Sequence, residues 1–281
     1  PPSRPPLDRP RTESEETPFQ EAEPAVVPIR SRQPGDGRVI TVMSPKGGSG
    51  KTITATNLAA ALTEKAGEDA VVLVDADLQF GDVALLLQIE PTRTILDAVE
   101  EIDDLSAERL DALLIRHESG LRVLPAPLVP TGADKVGAKD VVRIVEILKR
   151  MVPYVVVDTA PIFDDGLLTV LEHSDDVLLI VDMDLPSVKN AKIALDTLRA
   201  IGYDLGALRT VVNRANSKAR LDLDELERAL GREAGASIPS DRIIPQSVNE
   251  GVPAVFFSPR SKVAKAFGAL ADLFLPEGSK R

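Results

Sequence analysis

Two lysines five residues apart enclose three glycines in the run Ser44-Pro45-Lys46-Gly47-Gly48-Ser49-Gly50-Lys51-Thr52. Glycine has no Cβ, so such a loop can curl until its backbone N–H groups converge on an anion. An ammonium at Lys51 then reaches the outer phosphates of a nucleotide, and the Thr52 hydroxyl is a ligand for Mg²⁺. Further along the chain Asp75, Asp77 and Asp158 each follow an apolar run, and Asn213 closes another. One carboxylate can hold a metal-bound water while a second orients or deprotonates an attacking water. An asparagine amide carries both a donor and an acceptor, the combination that an adenine edge requires. Together these residue types describe cleavage of a phosphoanhydride.

The elements that must position them are legible as short apolar runs alternating with helix-period stretches. The runs Val39–Met43, Val71–Val74, Tyr154–Val157, Val177–Val181 and Arg209–Val212 are continuously apolar, as strands covered on both faces are. Ala55, Leu58, Ala59, Leu62 and Ala66 recur at steps of three and four, with Gly67 as a stop. Pro186 and Ser187 open another helix, which runs through Ala191, Leu195 and Leu198 to Gly202. The alternation predicts an α/β fold of three layers, a mostly parallel twisted sheet with helices on both faces. In such sheets ligands sit beyond the carboxyl ends of the strands, which is where Ser44–Thr52, Asp75, Asp77, Asp158, Asp182 and Asn213 fall.

Composition narrows the chemistry. The 281 residues contain no cysteine, which removes disulfides, thiolate nucleophiles, Cys-ligated zinc and iron–sulfur clusters together. The net charge of −11 argues against a surface built wholly for nucleic acid. No apolar run approaches the roughly 18 residues of a membrane span. Residues 1–36 carry nine of the 22 prolines along with many Glu and Arg, and are expected to form a disordered linker or tail. Residues 37–277 are expected to form the nucleotide-binding domain and 278–281 a short tail. The chain opens on Pro1 rather than Met, so two readings of the linker stand side by side: a piece of a longer protein, or an ordinary ragged tail.

The loop departs from the common phosphate-binding pattern in one respect. Pro45 stands where a first glycine is usual, and Lys46 adds a second lysine. The string K-G-G-x-G-K-T resembles the deviant Walker A signature of the MinD/ParA superfamily. The resemblance implies that Lys46 crosses to a partner's phosphates in an ATP-dependent homodimer, with ATP and Mg²⁺ as cofactors. It places Mg²⁺ at Thr52, Asp75 and Asp158, partly through water, and the catalytic roles at Lys46, Lys51 and Asp77. The loop residues Lys46, Gly47, Gly48, Ser49, Gly50, Lys51, Thr52 and Ile53 bind the nucleotide, and Asn213, Pro239 and Asp241 take the adenine. Slow, dimer-dependent hydrolysis of ATP to ADP and phosphate follows from the same likeness.

Within that superfamily, Asp75-Ala-Asp-Leu-Gln-Phe-Gly-Asp82, Val212-Asn-Arg-Ala-Asn-Ser-Lys218 and Ser247-Val-Asn-Glu-Gly-Val-Pro253 resemble the CpaE/TadZ pilus-assembly ATPases. The expected setting is cytoplasmic, with recruitment to a pole or the inner membrane face, and the expected partners are pilus or secretion-system proteins. A receiver-like domain often precedes the ATPase in that group. Chromosome or plasmid partition, division-site positioning and a non-hydrolysing scaffold are the alternatives; DNA and peripheral membrane contact rank below protein partners. The stripe Val263, Phe267, Leu270, Leu273, Phe274 is expected to pack in the core rather than on lipid. Arg209, Arg214, Lys218 and Arg220 are expected to form a solvated loop, and His117 and His173 to be surface residues without metal.

Overall fold

The computed structural model describes residues 35–216 and 221–276. The linker expected at 1–36 and the tail at 278–281 therefore lie almost wholly outside the described residues, as do Lys218 and Arg220. The described residues form eight strands: β1 (Arg38–Met43), β2 (Val71–Ala76), β3 (Ile115–Arg116), β4 (Arg122–Leu124), β5 (Tyr154–Thr159), β6 (Asp176–Asp182), β7 (Leu208–Asn213) and β8 (Ala234–Ile238). The helices of the first half are α1 (Lys51–Ala66), α2 (Val83–Leu86), α3 (Ile95–Glu100), α4 (Ala107–Leu113), α5 (Pro130–Ala133) and α6 (Ala138–Met151). Those of the second half are α7 (Asp165–Leu171), α8 (Leu185–Ala200), α9 (Leu223–Leu230), α10 (Ile243–Asn249), α11 (Ala254–Phe257) and α12 (Lys262–Asp272).

The strands form one sheet in the order β3-β4-β2-β5-β1-β6-β7-β8. Among the described residues only the β3–β4 pair is antiparallel. All five strands expected from the apolar runs are present. The runs miss β3, β4 and β8 for a physical reason. β3 and β4 are two and three residues long, and β8 is an edge strand, Ala-Gly-Ala-Ser-Ile, with only Ile238 buried.

Side chains alternate across the sheet and build a core on each face. Ile40, Leu73, Val156 and Leu178 face α1 and α12, where Leu58, Leu62 and Phe267 meet them. Val39, Val72, Val74 and Val155 face α6, and Val177, Leu179 and Val181 face α7 and α8. Val263, Phe267, Leu270 and Phe274 pack into the first core, as expected, whereas Leu273 faces solvent; Asp272 pairs with Lys65 of α1 at 2.6 Å. Among the described residues no helix is long and apolar enough to cross a membrane.

Two surface expectations need correction. His117 is buried, because it closes the β3–β4 turn with its Nδ1 bonded to Ser119. The basic group of β7 is split by the strand itself. Arg209 at its start pairs with buried Asp176, while Arg214 beyond its end pairs with Asp182. Among the described residues no cluster of His, Cys, Asp and Glu has metal-site geometry of its own.

Candidate functional site

β1 delivers the chain to the sheet's carboxyl edge, and α1 begins eight residues after Met43, at Lys51. The connecting loop takes left-handed backbone at Gly48 (φ 72°) and Gly50 (φ 87°). Few other residues adopt that conformation without strain. Gly50 is confined for a second reason: a Cβ there would lie 2.5 Å from Asn213 Nδ2. Asn213 donates that amide to the Ser49 carbonyl at 2.8 Å and accepts from the Arg214 N–H through Oδ1. It thus braces the back of the loop from β7.

α1 has no side-chain cap, so the positive end of a 16-residue helix opens into the loop. Lys51 is 6 % exposed. Burial lowers its pKa, and the charges of Asp158 and Asp77 oppose that shift. The Ser44 and Ser49 hydroxyls are buried with no hydrogen-bond partner. Buried polar groups are rarely left so, and those in a glycine-lined cup are placed for a ligand.

Strand pairing brings the carboxylates together. Asp158 on β5 is in register with both Asp75 on β2 and Val42 on β1. Asp158 is fully buried, neither of its oxygens has a well-formed hydrogen bond, and the Thr52 hydroxyl lies beside it. Burial pushes its pKa to about 7, against the pull of Thr52 and Lys51. Asp75 is equally buried and shifted well upward, by burial first and by Asp158 next. Its oxygens accept from the Asp77 and Val83 N–H groups at 3.2 and 3.1 Å, which folds residues 77–83 over the site. Gly81 makes that fold feasible, since a Cβ there would meet the Asp75 carboxylate at 2.5 Å. Asp77 is half-buried, with Oδ1 accepting from the Phe80 N–H at 3.3 Å. Burial raises its pKa, and Lys51 partly offsets this.

This donor set fits a Mg²⁺-bound nucleotide. Hard oxygen ligands are supplied by Thr52 and Asp158, an orphaned carboxylate awaits a cation or its water, and a buried lysine faces the same space. The model of the CobQ/CobB/MinD/ParA nucleotide binding domain matches residues 40–254, which span every one of these groups. The chain belongs to that family.

Relatives and structures of the CobQ/CobB/MinD/ParA family agree in extent. The septum site-determining protein MinD of Thermotoga maritima is 27% identical over 249 residues, 86% of this chain and 89% of that protein. The crystal structure of a ParA family ATPase from Chlorobium tepidum TLS superposes with a TM-score of 0.77 at 26% identity, over 84% of this chain and 98% of that one. MinD of Pyrococcus horikoshii OT3, solved as a complex with Mg-ADP, superposes at 0.72 over 84% and 95%, and at 23% identity it speaks for the fold alone.

Lys46, the extra lysine of the family's deviant loop, has a partner that the sequence does not announce. Its Nζ sits 2.5 Å from Asp184, just beyond β6, and 4.0 Å from Asp182, the last residue of that strand. Arg214 joins them, 3.1 Å from Asp182 and within 3.4 Å of the Gly48 carbonyl. Burial resists ionisation of Asp184, but Lys46 and the Ser187 N–H outweigh it and hold the carboxyl below its usual range. The pattern Asp182-Met-Asp184 after an apolar run was the available signal for this pair. Pro239 follows β8, whose Ile238 is in register with Asn213. Asp241 accepts from the Ile243 N–H at 3.0 Å at the start of α10.

Proposed function

We propose that this chain is an ATP-dependent dimerisation switch that hydrolyses ATP slowly and uses its bound state to place a cellular assembly. The observation that carries the proposal is the position of Lys46. It stands at the mouth of the phosphate loop, only partly buried, held by a carboxylate that is itself 41 % exposed. Such a pair is weakly held and can exchange its acid for phosphate oxygens of a second subunit. A cation arriving in trans ties assembly to turnover as an arginine finger does.

In this mechanism the loop N–H groups, the end of α1 and Lys51 neutralise the triphosphate. Thr52 and Asp158, with Asp75 behind them, would hold Mg²⁺, which would supply Lewis-acid neutralisation of phosphate charge. Asp77 orients the attacking water and accepts its proton, aided by a pKa already raised by burial. The adenine role of Asn213, Pro239 and Asp241 belongs to the same proposal. It requires the Asn213 amide to exchange its bond to Ser49, or to present only its remaining lone pairs and hydrogen.

The finer assignment is a CpaE/TadZ-like role in pilus assembly, supported by the residues 75–82, 212–218 and 247–253 quoted above. Cytoplasmic residence with recruitment to a pole or the inner membrane face goes with it. Division-site or partition work is the second reading, favoured by the MinD and ParA likenesses. Isolating what co-purifies with the Asp77→Ala form separates them. Secretion-system proteins are the expected result; DNA or division proteins would displace the pilus assignment.

A further inference from the structure

Two cations and two carboxylates meet at the mouth of the phosphate loop, and they are not shared evenly. Asp184 caps α8 through Oδ1, which accepts the Ser187 N–H at 2.8 Å, and turns Oδ2 to Lys46 at 2.5 Å. Asp182, the last residue of β6, is 3 % exposed. Its Oδ2 accepts from Arg214 Nη1 at 3.1 Å, and Lys46 Nζ stands 4.0 Å from the same atom. Its Oδ1 is buried with no hydrogen-bond partner. Burial raises the Asp182 pKa, and Arg214 opposes that shift more strongly than Lys46 does.

Arg214 is held where it is by strained backbone. Its φ of 52° is left-handed, a conformation that residues with a Cβ adopt rarely. Asn213 Oδ1 accepts its N–H at 2.9 Å and steadies the turn. From there the planar guanidinium spans two groups at once, Nη1 on Asp182 and Nη2 toward the Gly48 carbonyl at 3.4 Å. An ammonium has no such fork.

A buried carboxylate stripped of its cation draws in the next one within reach. Here that is Lys46, the lysine that must leave its acid in the dimer reading. We propose that Arg214 is a positioning residue for Lys46: by neutralising Asp182 it leaves the lysine on Asp184 alone. Without Arg214, Lys46 closes on Asp182 as well and is held by two acids, one of them buried. The consequence for assembly rests on the dimer reading; the division of charges does not.

Amine reactivity reads that division in the nucleotide-free chain. Wild type is compared with Arg214→Gln, Arg214→Lys, Asp182→Asn, and Arg214→Gln combined with Asp182→Asn. Each is treated with limiting acetic anhydride, and acetylation of Lys46 relative to exposed Lys139 is measured by peptide mass spectrometry. Arg214→Gln should lower Lys46 labelling by about fivefold, the effect of one further ion pair. Arg214→Lys should keep most of the wild-type rate. Adding Asp182→Asn to Arg214→Gln should restore it, which a general loosening of the loop would not do. Asp182→Asn alone should change it by less than about twofold, because Arg214 already occupies that acid. This last variant decides the question even if Arg214→Gln fails to fold. Unchanged labelling in Arg214→Gln, no restoration in the double variant, or a several-fold rise in Asp182→Asn would each overturn the proposal. At saturating ATP and Mg²⁺, Arg214→Gln should also dimerise about fivefold more weakly in light scattering, and dimerisation equal to wild type would count against it equally. A wild-type chain that stays monomeric there would remove the dimer reading and leave labelling to decide the role of Arg214.

Discussion

Asp75 and Asp158 are register partners on adjacent strands, so two buried carboxylates share one position at the carboxyl edge of the sheet. Neither has a cationic partner within salt-bridge distance among the described residues; burial raises both pKa values, and the charge of Asp158 raises that of Asp75 further. Both groups hold a proton more tightly than a free carboxylate does, and a divalent cation would make their ionisation favourable.

A pH signature follows. Folding lifts the Asp158 pKa from 3.8 to about 7, so the native chain keeps a proton that the unfolded chain releases. The stability this group contributes is complete below pH 3.8 and is lost as pH rises through 7. In chelator, Asp158→Asn should therefore be the more stable form at pH 8, by roughly 5 °C for a contribution of about 2 kcal/mol in a domain of this size. At pH 5 the two should converge. Thermal unfolding at the two pH values checks this, and parallel curves would contradict the assignment. Addition of Mg²⁺ and ADP should raise the Tm of wild type and leave that of Asp158→Asn nearly unchanged.

Gly50 meets both a positive φ and the Asn213 amide. Gly50→Ala should weaken nucleotide binding by about tenfold or more, the effect of 1–3 kcal/mol of backbone strain. Adding Asn213→Ala removes the 2.5 Å contact but not the left-handed φ, so recovery should be partial. Titration calorimetry across the four variants of this cycle distinguishes the two causes. Full recovery would show that the clash alone matters.

Lys51 is a buried ammonium that only an anion can satisfy fully. Lys51→Ala should lose nucleotide affinity by on the order of a hundredfold, about 3 kcal/mol, through loss of a charge-assisted contact. The fold should persist, since removing a buried charge relieves its desolvation. A fluorescent nucleotide displacement assay reads the affinity, and a value near wild type would move the phosphate site elsewhere.

Lys46 and Asp184 separate binding from assembly. Lys46→Ala should bind nucleotide normally yet remain monomeric in light scattering with ATP and Mg²⁺. Asp184→Ala releases the lysine from a half-exposed pair worth less than about 1 kcal/mol, so dimerisation should tighten by no more than about fivefold. An ATP-driven dimer of Lys46→Ala would refute the trans lysine.

Asp77→Ala should bind ATP, dimerise and stall, with turnover falling by about 10²–10⁴, the usual contribution of a positioned base. Phosphate release under single-turnover conditions measures it. Unchanged turnover would pass the water to another residue.

The phosphate loop was legible in the linear chain because its chemistry is local. Three glycines, two lysines and a threonine within nine residues can do little else between a strand and a helix. The five central strands were legible because burial on both faces demands uninterrupted apolar runs, and Val177–Val181 leaves no other reading. The strands β3, β4 and β8 were not, since two or three residues, or five at a sheet edge with only Ile238 buried, carry too little burial to bias composition. His117 and Arg209 looked like surface residues by type, and only the folded chain showed His117 buried on Ser119 and Arg209 part-buried against Asp176. Tertiary structure alone decided that Lys46 rests on Asp184, 138 residues away, and that Asn213 braces Ser49 from 164 residues away. Strand order and register set those meetings. Both arise when a whole sheet assembles, so no window of sequence can contain them.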